Sequence, residues 1–83
     1  MTLERINKAS RKVVGQKQTT RVIKSGEAKI VFIAQDAEKH IVEPVLNECQ
    51  NKKIEVIIAD DMVSLGKACG IKVGASVVAI LED

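Results

Sequence analysis

Apolar and polar positions along the chain alternate between helical and extended patterns, beginning with a helical one. Its apolar side chains recur at about every third or fourth position, at Leu3, Ile6, Ala9 and Val13. This spacing predicts a first helix that Thr2 caps and Gly15 ends. A second helix is predicted over residues 17–25, with the pair Val22-Ile23 facing inward. Gly26 follows it at the position where a left-handed residue closes a helix.

Three segments instead carry apolar runs of strand length: residues 29–34, 54–59 and 76–81. The first is continuous and rich in β-branched side chains, which indicates a strand covered on both faces. The other two are predicted to be further strands.

The segment from residue 37 to 53 has its apolar side chains on one helical stripe, and Asp36 is predicted to cap this helix. Pro44 lacks a backbone N–H and therefore removes one helical hydrogen bond. We expect a bend or a restart of the helix at residues 43–44.

A shorter helix is predicted over residues 62–69, capped by Asp60-Asp61 and closed by Gly70. Strands that alternate with helices predict an α/β fold, with right-handed crossovers between parallel neighbours. We therefore expect one domain over residues 1–83, a three-layer α/β/α sandwich around a central, mostly mixed sheet.

Only one side chain is aromatic, Phe32, although 46% of the residues are apolar. The core is therefore expected to be aliphatic. Because the chain has no Trp or Tyr, it lacks the aromatic platforms on which many single-strand binders and RNA-recognition sheets stack bases. Several RNA-binding modules are excluded on this ground.

Charge is distributed unevenly, although the net charge is only +2. Residues 1–26 hold seven Lys or Arg against one Glu, a net of +6, and residues 27–83 hold six Lys against ten acids, a net of −4. Such a basic pole attracts phosphate backbones or acidic proteins. The alternative is a basic helical face with no partner.

The start of the second helix, residues 15–21, reads Gly-Gln-Lys-Gln-Thr-Thr-Arg. Gly15 allows a turn where a side chain would clash, and the first N–H groups of the helix carry partial positive charge. Lys17 and Arg21 share one helical face, with Gln18 beside them as a donor and acceptor. This combination suits an anionic, hydrogen-bonding partner; the alternative is an ordinary solvated helix.

A short loop, residues 71–74, places two apolar side chains on either side of Lys72. Apolar side chains at a loop tip usually bury something. Ile71 and Val73 therefore either pack on their own domain or press on a partner.

Metal, redox and membrane chemistry have little support in the sequence. Cys49 and Cys69 lack CxxC spacing and the chain has one His, so we expect both thiols to be reduced core residues. The first residues form no apolar leader, and no apolar run approaches the roughly 18 residues of a membrane span. We expect a cytoplasmic protein that does not associate with membranes.

A nucleotide-binding enzyme is the main competing class for a small α/β chain with several glycines. Their spacing is not GxGxxG, and a phosphate-binding loop ending in Gly66-Lys67 would need Gly and Ser or Thr where Asp61 and Ala68 stand. His40 has no catalytic partner that spacing can show, and we expect it to lie at the surface. No enzymatic activity, cofactor, metal or small-molecule substrate is predicted.

Four segments of the chain carry a family resemblance. They are Gly15-x-Lys17-Gln18-x-Thr20-Arg21 closing at Gly26, residues 33–38 (Ile-Ala-Gln-Asp-Ala-Glu), and residues 65–73 (Leu-Gly-Lys-Ala-Cys-Gly-Ile-Lys-Val) followed by residues 76–80. Over nearly the whole chain they resemble the L-seven-Ae and L-thirty-e family of ribosomal proteins, and its small bacterial members most of all.

The resemblance implies binding to kink-turns, which are RNA helices bent sharply at a three-nucleotide bulge beside tandem sheared G·A pairs. The bend opens the narrow major groove, so that guanine O6 and N7 come within reach of a short basic turn. The implied RNA-binding residues are Gly15, Gln16, Lys17, Gln18, Arg21, Glu38, Ile71, Lys72 and Val73.

By analogy with the family, Lys17 and Gln18 contact the guanines of the G·A pairs, and Arg21 contacts guanine or phosphate. Glu38 contacts a flipped bulge nucleotide, and residues 71–73 cover the splayed bulge bases. Archaeal and eukaryotic members have Asn-Glu in place of Lys17-Gln18, Lys in place of Arg21, and often Pro in place of Gly74. The binding mode therefore carries over better than each individual hydrogen bond.

The resemblance thus implies a monomer that binds kink-turn RNA, in a ribosome or a riboswitch. The competing hypothesis is a protein-interaction or scaffolding module whose basic N-terminal face contacts acidic proteins. An RNA binder should lose affinity steeply with salt and prefer kinked RNA, whereas a protein adaptor should do neither.

Overall fold

Four helices and four strands alternate along residues 3–82, the part of the chain that the computed structural model describes. In chain order they are α1 (Glu4–Lys8), β1 (Arg11–Val14), α2 (Gln16–Lys24), β2 (Ile30–Ala34), α3 (Lys39–Lys52), β3 (Glu55–Ala59), α4 (Met62–Ala68) and β4 (Val77–Glu82). The strands form one sheet in the order β1-β4-β2-β3. β2 and β3 are parallel, and β4 is antiparallel to both of its neighbours.

Helices cover both faces of the sheet, because alternate residues of each buried strand point to opposite sides. One face packs against α2 and α3 through side chains such as Ile23 and Val45. The other face, which contains Phe32, packs against Ile6 of α1 and Leu65 of α4. The predicted α/β/α sandwich with a mixed sheet is therefore confirmed.

The central strands are the most buried elements. All five residues of β2 are buried, and so are the first five of β4. The prediction that residues 29–34 form a strand covered on both faces is confirmed for Ile30–Ala34. As predicted, the core is mostly aliphatic; besides Phe32, the buried side chains outside this class among residues 3–82 are Cys49 and Thr19.

The predicted bounds of α2 and α4 hold to within one residue. Gly26 and Gly70 follow these helices with φ of 81° and 77°, the left-handed conformation that closes a helix. Asp61 occupies the N-cap position of α4 as predicted. Among residues 3–82 no helix combines the length and apolarity needed to cross a membrane.

The first predicted helix is wrong in its second half. Helix α1 ends at Lys8, and residues Arg11–Val14 form the edge strand β1 instead. Val13 lies opposite Ala79 and Val14 opposite Val78 in an antiparallel pairing with β4. This pairing gives the backbone hydrogen bonds that a helix would otherwise supply. The predicted Thr2 cap lies outside the described residues.

One prediction about α3 is wrong and another is corrected in part. The helix begins at Lys39 and not after Asp36, whose carboxylate instead accepts a hydrogen bond from the Met62 N–H at 2.8 Å. Of the predicted bend or restart at residues 43–44, the restart does not occur, because α3 is continuous over Lys39–Lys52; the bend stays a prediction. Pro44 and His40 are exposed, so water can satisfy the His40 carbonyl that lacks its helical donor.

Both cysteines are free thiols, and they differ in burial. Cys49 is buried in the core as predicted, and burial raises the pKa of its thiol to about 11, with the nearby Glu48 adding to the effect. Cys69 is only half-buried, because it ends α4 near the surface. Burial raises the pKa of Cys69 as well, against a smaller opposing effect of Lys12.

Candidate nucleic-acid interface

The sheet topology brings most of the predicted site residues to one end of the molecule. Strands β1, β2 and β3 point the same way and β4 points the opposite way, so three carboxyl ends lie beside the amino end of β4. The segments that leave or enter the sheet there are residues 15–18, 35–38, 60–62 and 71–76. We call these four segments the upper rim.

Gly15 connects β1 directly to α2 at the upper rim. Its φ of 101° and ψ of 158° are in a region that is nearly restricted to glycine. Its N–H donates to the Val77 carbonyl at 3.0 Å, and its carbonyl accepts from the Thr19 N–H at 3.0 Å. One residue thus ends the strand pairing with β4 and begins the helix.

The first turn of α2 places its polar side chains outward. Gln16, Lys17 and Gln18 are exposed, and Thr19 is buried with its hydroxyl unpartnered. The first helical hydrogen bond is donated by Thr19, so the three preceding N–H groups have no helical acceptor. No side chain caps this helix, and its first turn holds no acid. Arg21 is exposed one turn further along.

The segment 35–38 lies beside a surface depression. Glu38 occupies the N-cap position of α3, is exposed, and places Oε2 3.7 Å from Nδ1 of the exposed His40. Next to it a depression of about 300 Å³ opens between α3 and β3. Its polar lining includes Gln35, Lys39 and Glu43, and its apolar lining includes Val42, Leu46 and Ile58. No local pattern predicted this depression, because its lining comes from segments that are distant in the chain.

The loop before β4 divides its two apolar side chains between core and solvent. Ile71 packs against the core beneath α4, whereas Val73 is 71% exposed. A Cβ on Gly66 would overlap the carbonyl oxygen of Val73, so glycine at this position lets the loop lie directly on α4. The Ala75 N–H donates to the Met62 carbonyl at 3.0 Å and secures the loop at the rim. Ile71 therefore packs on its own domain, the first of the two alternatives, whereas Val73 is left accessible to a partner.

The start of α4 is closed by two carboxylates. Asp61 accepts a hydrogen bond from the Ser64 N–H at 2.6 Å, and Asp36 accepts from the Met62 N–H. The Ser64 backbone N–H holds the pKa of the Asp61 carboxyl below its ordinary value. The sequence did not indicate this role of Asp36, because its hydrogen-bond partner, Met62, is far away in the chain.

The basic N-terminal charge is divided between separate places. Lys17, Arg21 and Lys24 are exposed along α2, which begins at the upper rim. Arg11 starts β1 at the opposite end of the sheet, where its guanidinium lies 3.0 Å from the carboxylate of Glu82. The positive charge at the upper rim is therefore smaller than the net charge of +6 on residues 1–26 indicates.

Residues 1–83 match the ribosomal protein L7Ae/L30e/S12e/Gadd45 family over their whole length. The chain belongs to this family. The RNA-binding protein YbxF of Geobacillus stearothermophilus is 44% identical over 82 residues, 99% of this chain and 100% of the relative. An RNA-binding protein of Bacillus pumilus is 36% identical over 81 residues, 98% of this chain and 99% of the relative. The sequence resemblance to the L7Ae family is confirmed.

Solved structures show the same fold at lower identity. The 15.5kD RNA binding protein of Giardia lamblia superposes with a TM-score of 0.89 at 24% identity, covering 99% of this chain and 72% of that one. A protein of unknown function from Bacillus halodurans gives a TM-score of 0.84 at 24% identity, covering 96% and 80%. The family and the names of its members point to RNA-binding proteins and not to enzymes, in agreement with the prediction.

In this L7Ae-family chain the upper rim gathers nearly all of the predicted RNA-binding residues. Residues 15–18, Glu38 and residues 71–73 lie on it, and Arg21 lies one turn below. Ile71 is less available to a partner than Val73, because it packs on the core.

Proposed function

We propose that the chain binds RNA at the upper rim and that its target is the kink-turn. Membership of the L7Ae family and relatives named RNA-binding proteins support RNA as the partner. The observation that carries the proposal is the open start of α2. Three N–H groups without a helical acceptor, an exposed lysine and two exposed amides meet there, and residues 16–19 of this first turn include no acid.

The first turn of α2 is suited to guanine edges in an opened major groove. Lys17 can donate to guanine O6 and N7, the commonest base-specific contact of a basic side chain. Gln18 offers a donor and an acceptor, which fits the mixed edges that a sheared G·A pair presents. Arg21 provides a planar fork for guanine or phosphate. A regular A-form duplex would not admit these side chains, because its major groove is narrow and deep.

Two further rim segments, residues 35–38 and 71–76, are suited to unpaired nucleotides. Glu38 can accept from the edge of a flipped base, and the adjacent depression has apolar walls that can receive it. Val73 offers an exposed aliphatic contact to splayed bases, and the exposed Lys72 suits a nearby phosphate. Stacking on an aromatic ring plays no part, since Phe32 is fully buried. The proposed target thus combines a kinked groove with a bulge.

A titration with paired RNAs tests the proposal. One duplex carries a generic kink-turn, and the other is identical except that Watson–Crick pairs replace its G·A pairs. We expect tight binding, with one protein per RNA, to the first duplex only. The logarithm of the association constant should fall with the logarithm of salt concentration at a slope of about −3 to −5, for roughly 4–6 neutralised phosphates.

Equal affinity for both duplexes would overturn kink-turn recognition. A nearly flat salt dependence would overturn RNA binding and favour the alternative, a scaffolding module for acidic proteins. We place the natural target in ribosomal RNA or a riboswitch, bound by a monomer in the cytoplasm.

A further inference from the structure

The two edges of the sheet differ in how well they are protected against pairing with a further strand. β1, at one edge, begins with two basic residues and has a shift of register between Arg11 and Lys12, and both features discourage another strand. β3, at the other edge, pairs regularly with β2 over all five of its residues. It contains one charged residue, Glu55, and otherwise reads Val-Ile-Ile-Ala. We call β3 the open edge of the sheet that residues 3–82 form.

The outward backbone groups of the open edge belong to Val56 and Ile58. The Ala59 carbonyl accepts from the Gln35 N–H at 2.8 Å, so the polar groups of Ala59 face β2. The direction of these groups alternates along a strand. Those of Ile57 therefore also face β2, and those of Val56 and Ile58 face away from the sheet. The open edge thus presents two donors and two acceptors to another strand.

The side chains of the open edge are aliphatic and incompletely covered. Ile58 is 55% exposed, and Val56 and Ile57 are half-buried. Val56 and Ile58 lie on the face of the sheet that packs against α3, and Ile57 lies on the opposite face. A strand added at this edge would therefore find aliphatic cross-strand neighbours on both faces.

Charge is polarised along the open edge. The exposed Lys52 and Lys53 lie shortly before it, and Asp60 and Asp61 follow it directly. A second copy of β3 running antiparallel would place the basic end of each strand beside the acidic end of the other, whereas a parallel copy would bring like charges together. Charge complementarity therefore favours an antiparallel second copy of this chain as the occupant of the open edge.

We propose that the free chain forms a weak symmetric dimer, in which the open edges of two copies pair antiparallel and join the two sheets. A two-fold axis at Ile57 places Val56 opposite Ile58 of the other copy, so that the outward backbone groups of both residues meet. The same register places Lys53 opposite Asp61 of the other copy. Two paired strands of five residues bury a small area, so we expect dissociation in the micromolar to millimolar range.

This dimer does not depend on RNA binding and belongs to the free chain. The second copy would cover the mouth of the depression that Ile58 lines. The same depression is proposed above to receive a flipped base, so RNA and the second copy compete for it. The proposed RNA complex therefore contains one chain.

Sedimentation equilibrium of the full chain and two variants, without RNA, tests the dimer. The apparent mass of the parent should rise from that of one chain toward twice that value as its concentration increases. Ile58→Lys should raise the dissociation constant about tenfold or more, because it places an unpaired charge within the strand pairing. Val63→Lys is the matched control. Val63 is 60% exposed but lies on α4, so this variant should dimerise like the parent.

Amide hydrogen exchange locates the interface in the parent chain itself. The Ile57 N–H faces β2 and should be protected at every concentration. The N–H groups of Val56 and Ile58 should exchange readily in dilute protein and become protected as the dimer forms. Pairing through any other surface would leave these two amides unprotected at high concentration.

Every other outcome overturns the inference. A parent chain that stays monomeric at millimolar concentration overturns the dimer and leaves the open edge to a strand of another protein; the proposed function is unaffected, because no RNA is present. A dimer that Ile58→Lys and Val63→Lys weaken equally, or one without protection of the Val56 and Ile58 amides, uses another surface. If Ile58→Lys melts far below the parent, the exchange measurement on the parent decides. A failed kink-turn titration would overturn the proposed function and leave the dimer standing.

Discussion

Helices α2 and α4 begin at the same rim and differ in what satisfies their first N–H groups. At α4, the carboxylates of Asp61 and Asp36 accept from Ser64 and Met62. At α2, Gly15 holds the N-cap position, no side chain caps the helix and Lys17 stands in the first turn.

The difference separates a structural contact within the protein from the surface that we propose binds RNA. The positive end of α4 is neutralised within the protein, and the Asp36 contact ties the segment 35–38 to the helix. The positive end of α2 is left to solvent or to an anionic partner. Changes at the α4 start should therefore alter stability, whereas side-chain changes at the α2 start should alter RNA affinity.

The largest effect is expected for Lys17→Ala, which should weaken kink-turn binding by about 1–3 kcal/mol and leave unfolding unchanged. Lysine on guanine O6 and N7 recognises a base, so the preference for kink-turn over plain duplex should fall as well. Isothermal titration with both RNAs measures this. The exposed Lys67 of α4 is the control, and Lys67→Ala should change neither affinity. Equal losses of the Lys17 variant on both RNAs would show that its role is only electrostatic.

The next largest effect is expected for Gly15→Ala, which disturbs the backbone conformation at the uncapped start of α2. The φ and ψ of Gly15 are strained for any residue with a Cβ, so the variant should lose about 1–3 kcal/mol of folding free energy. Gly26→Ala is the control, because Gly26 also has positive φ but lies in the milder left-handed helical region and should cost about 1 kcal/mol. Urea denaturation of the two variants gives the comparison. Equal destabilisation would mean that the turn at Gly15 carries no special constraint.

Val73→Ser tests the part of the rim that rests on α4. Because Val73 is largely exposed, the melting temperature should stay nearly the same, while kink-turn affinity should fall by about 1 kcal/mol for a lost aliphatic contact. Ile71→Ser should do the opposite, lowering the melting temperature because Ile71 packs on the core. A melt and a binding isotherm on each variant measure both quantities. A drop in melting temperature with unaltered affinity for Val73→Ser would assign Val73 to the fold.

The smallest effect is expected at Asp61, and it is present near neutral pH and disappears in acid. Because the folded-state pKa of Asp61 is lowered, its contribution to stability is present above the ordinary value of 3.8 and is lost as the pH falls through the lowered value. Asp61→Asn keeps an oxygen for the Ser64 N–H and does not titrate. The variant should lose less melting temperature than the parent between about pH 5 and about pH 2. Its RNA affinity at neutral pH should be unchanged, and a clear loss there would contradict the assignment of α4 to structure.

Local patterns predicted most of the fold because each confirmed element carries its own signals. Helix α2 has an inward apolar pair and Gly26, and β2 is a continuous apolar run. β1 was missed because Val13 also fits the helical spacing of α1. Its strand conformation comes from pairing with β4 at the other end of the sequence, which no local window contains.

The candidate site was predicted through the family resemblance and not through geometry. The chemistry of Lys17 and Gln18 was visible in the sequence, but the placement of Glu38 beside residues 71–73 follows from strand order. Asp36 was assigned to the nearest helix because sequence spacing favours local caps, whereas its partner is Met62. Contacts between distant segments were the information that a single sequence lacked.

The pairing of β1 with β4 also bears on folding kinetics. Val14 lies opposite Val78, so this edge of the sheet joins residues separated by most of the chain. Forming such a contact carries a high entropic cost of loop closure and is therefore slow. In addition, an edge strand of four residues makes few contacts that stabilise it on its own. We expect β1 to dock late and to open locally before the central strands do. The Gly15 N–H donates a hydrogen bond to the Val77 carbonyl at the end of this strand. Opening of β1 would therefore unfold the start of α2 while the rest of the sheet stays intact. Bound RNA would hold that strand closed, so amide hydrogen exchange in β1 would report occupancy from the edge of the sheet.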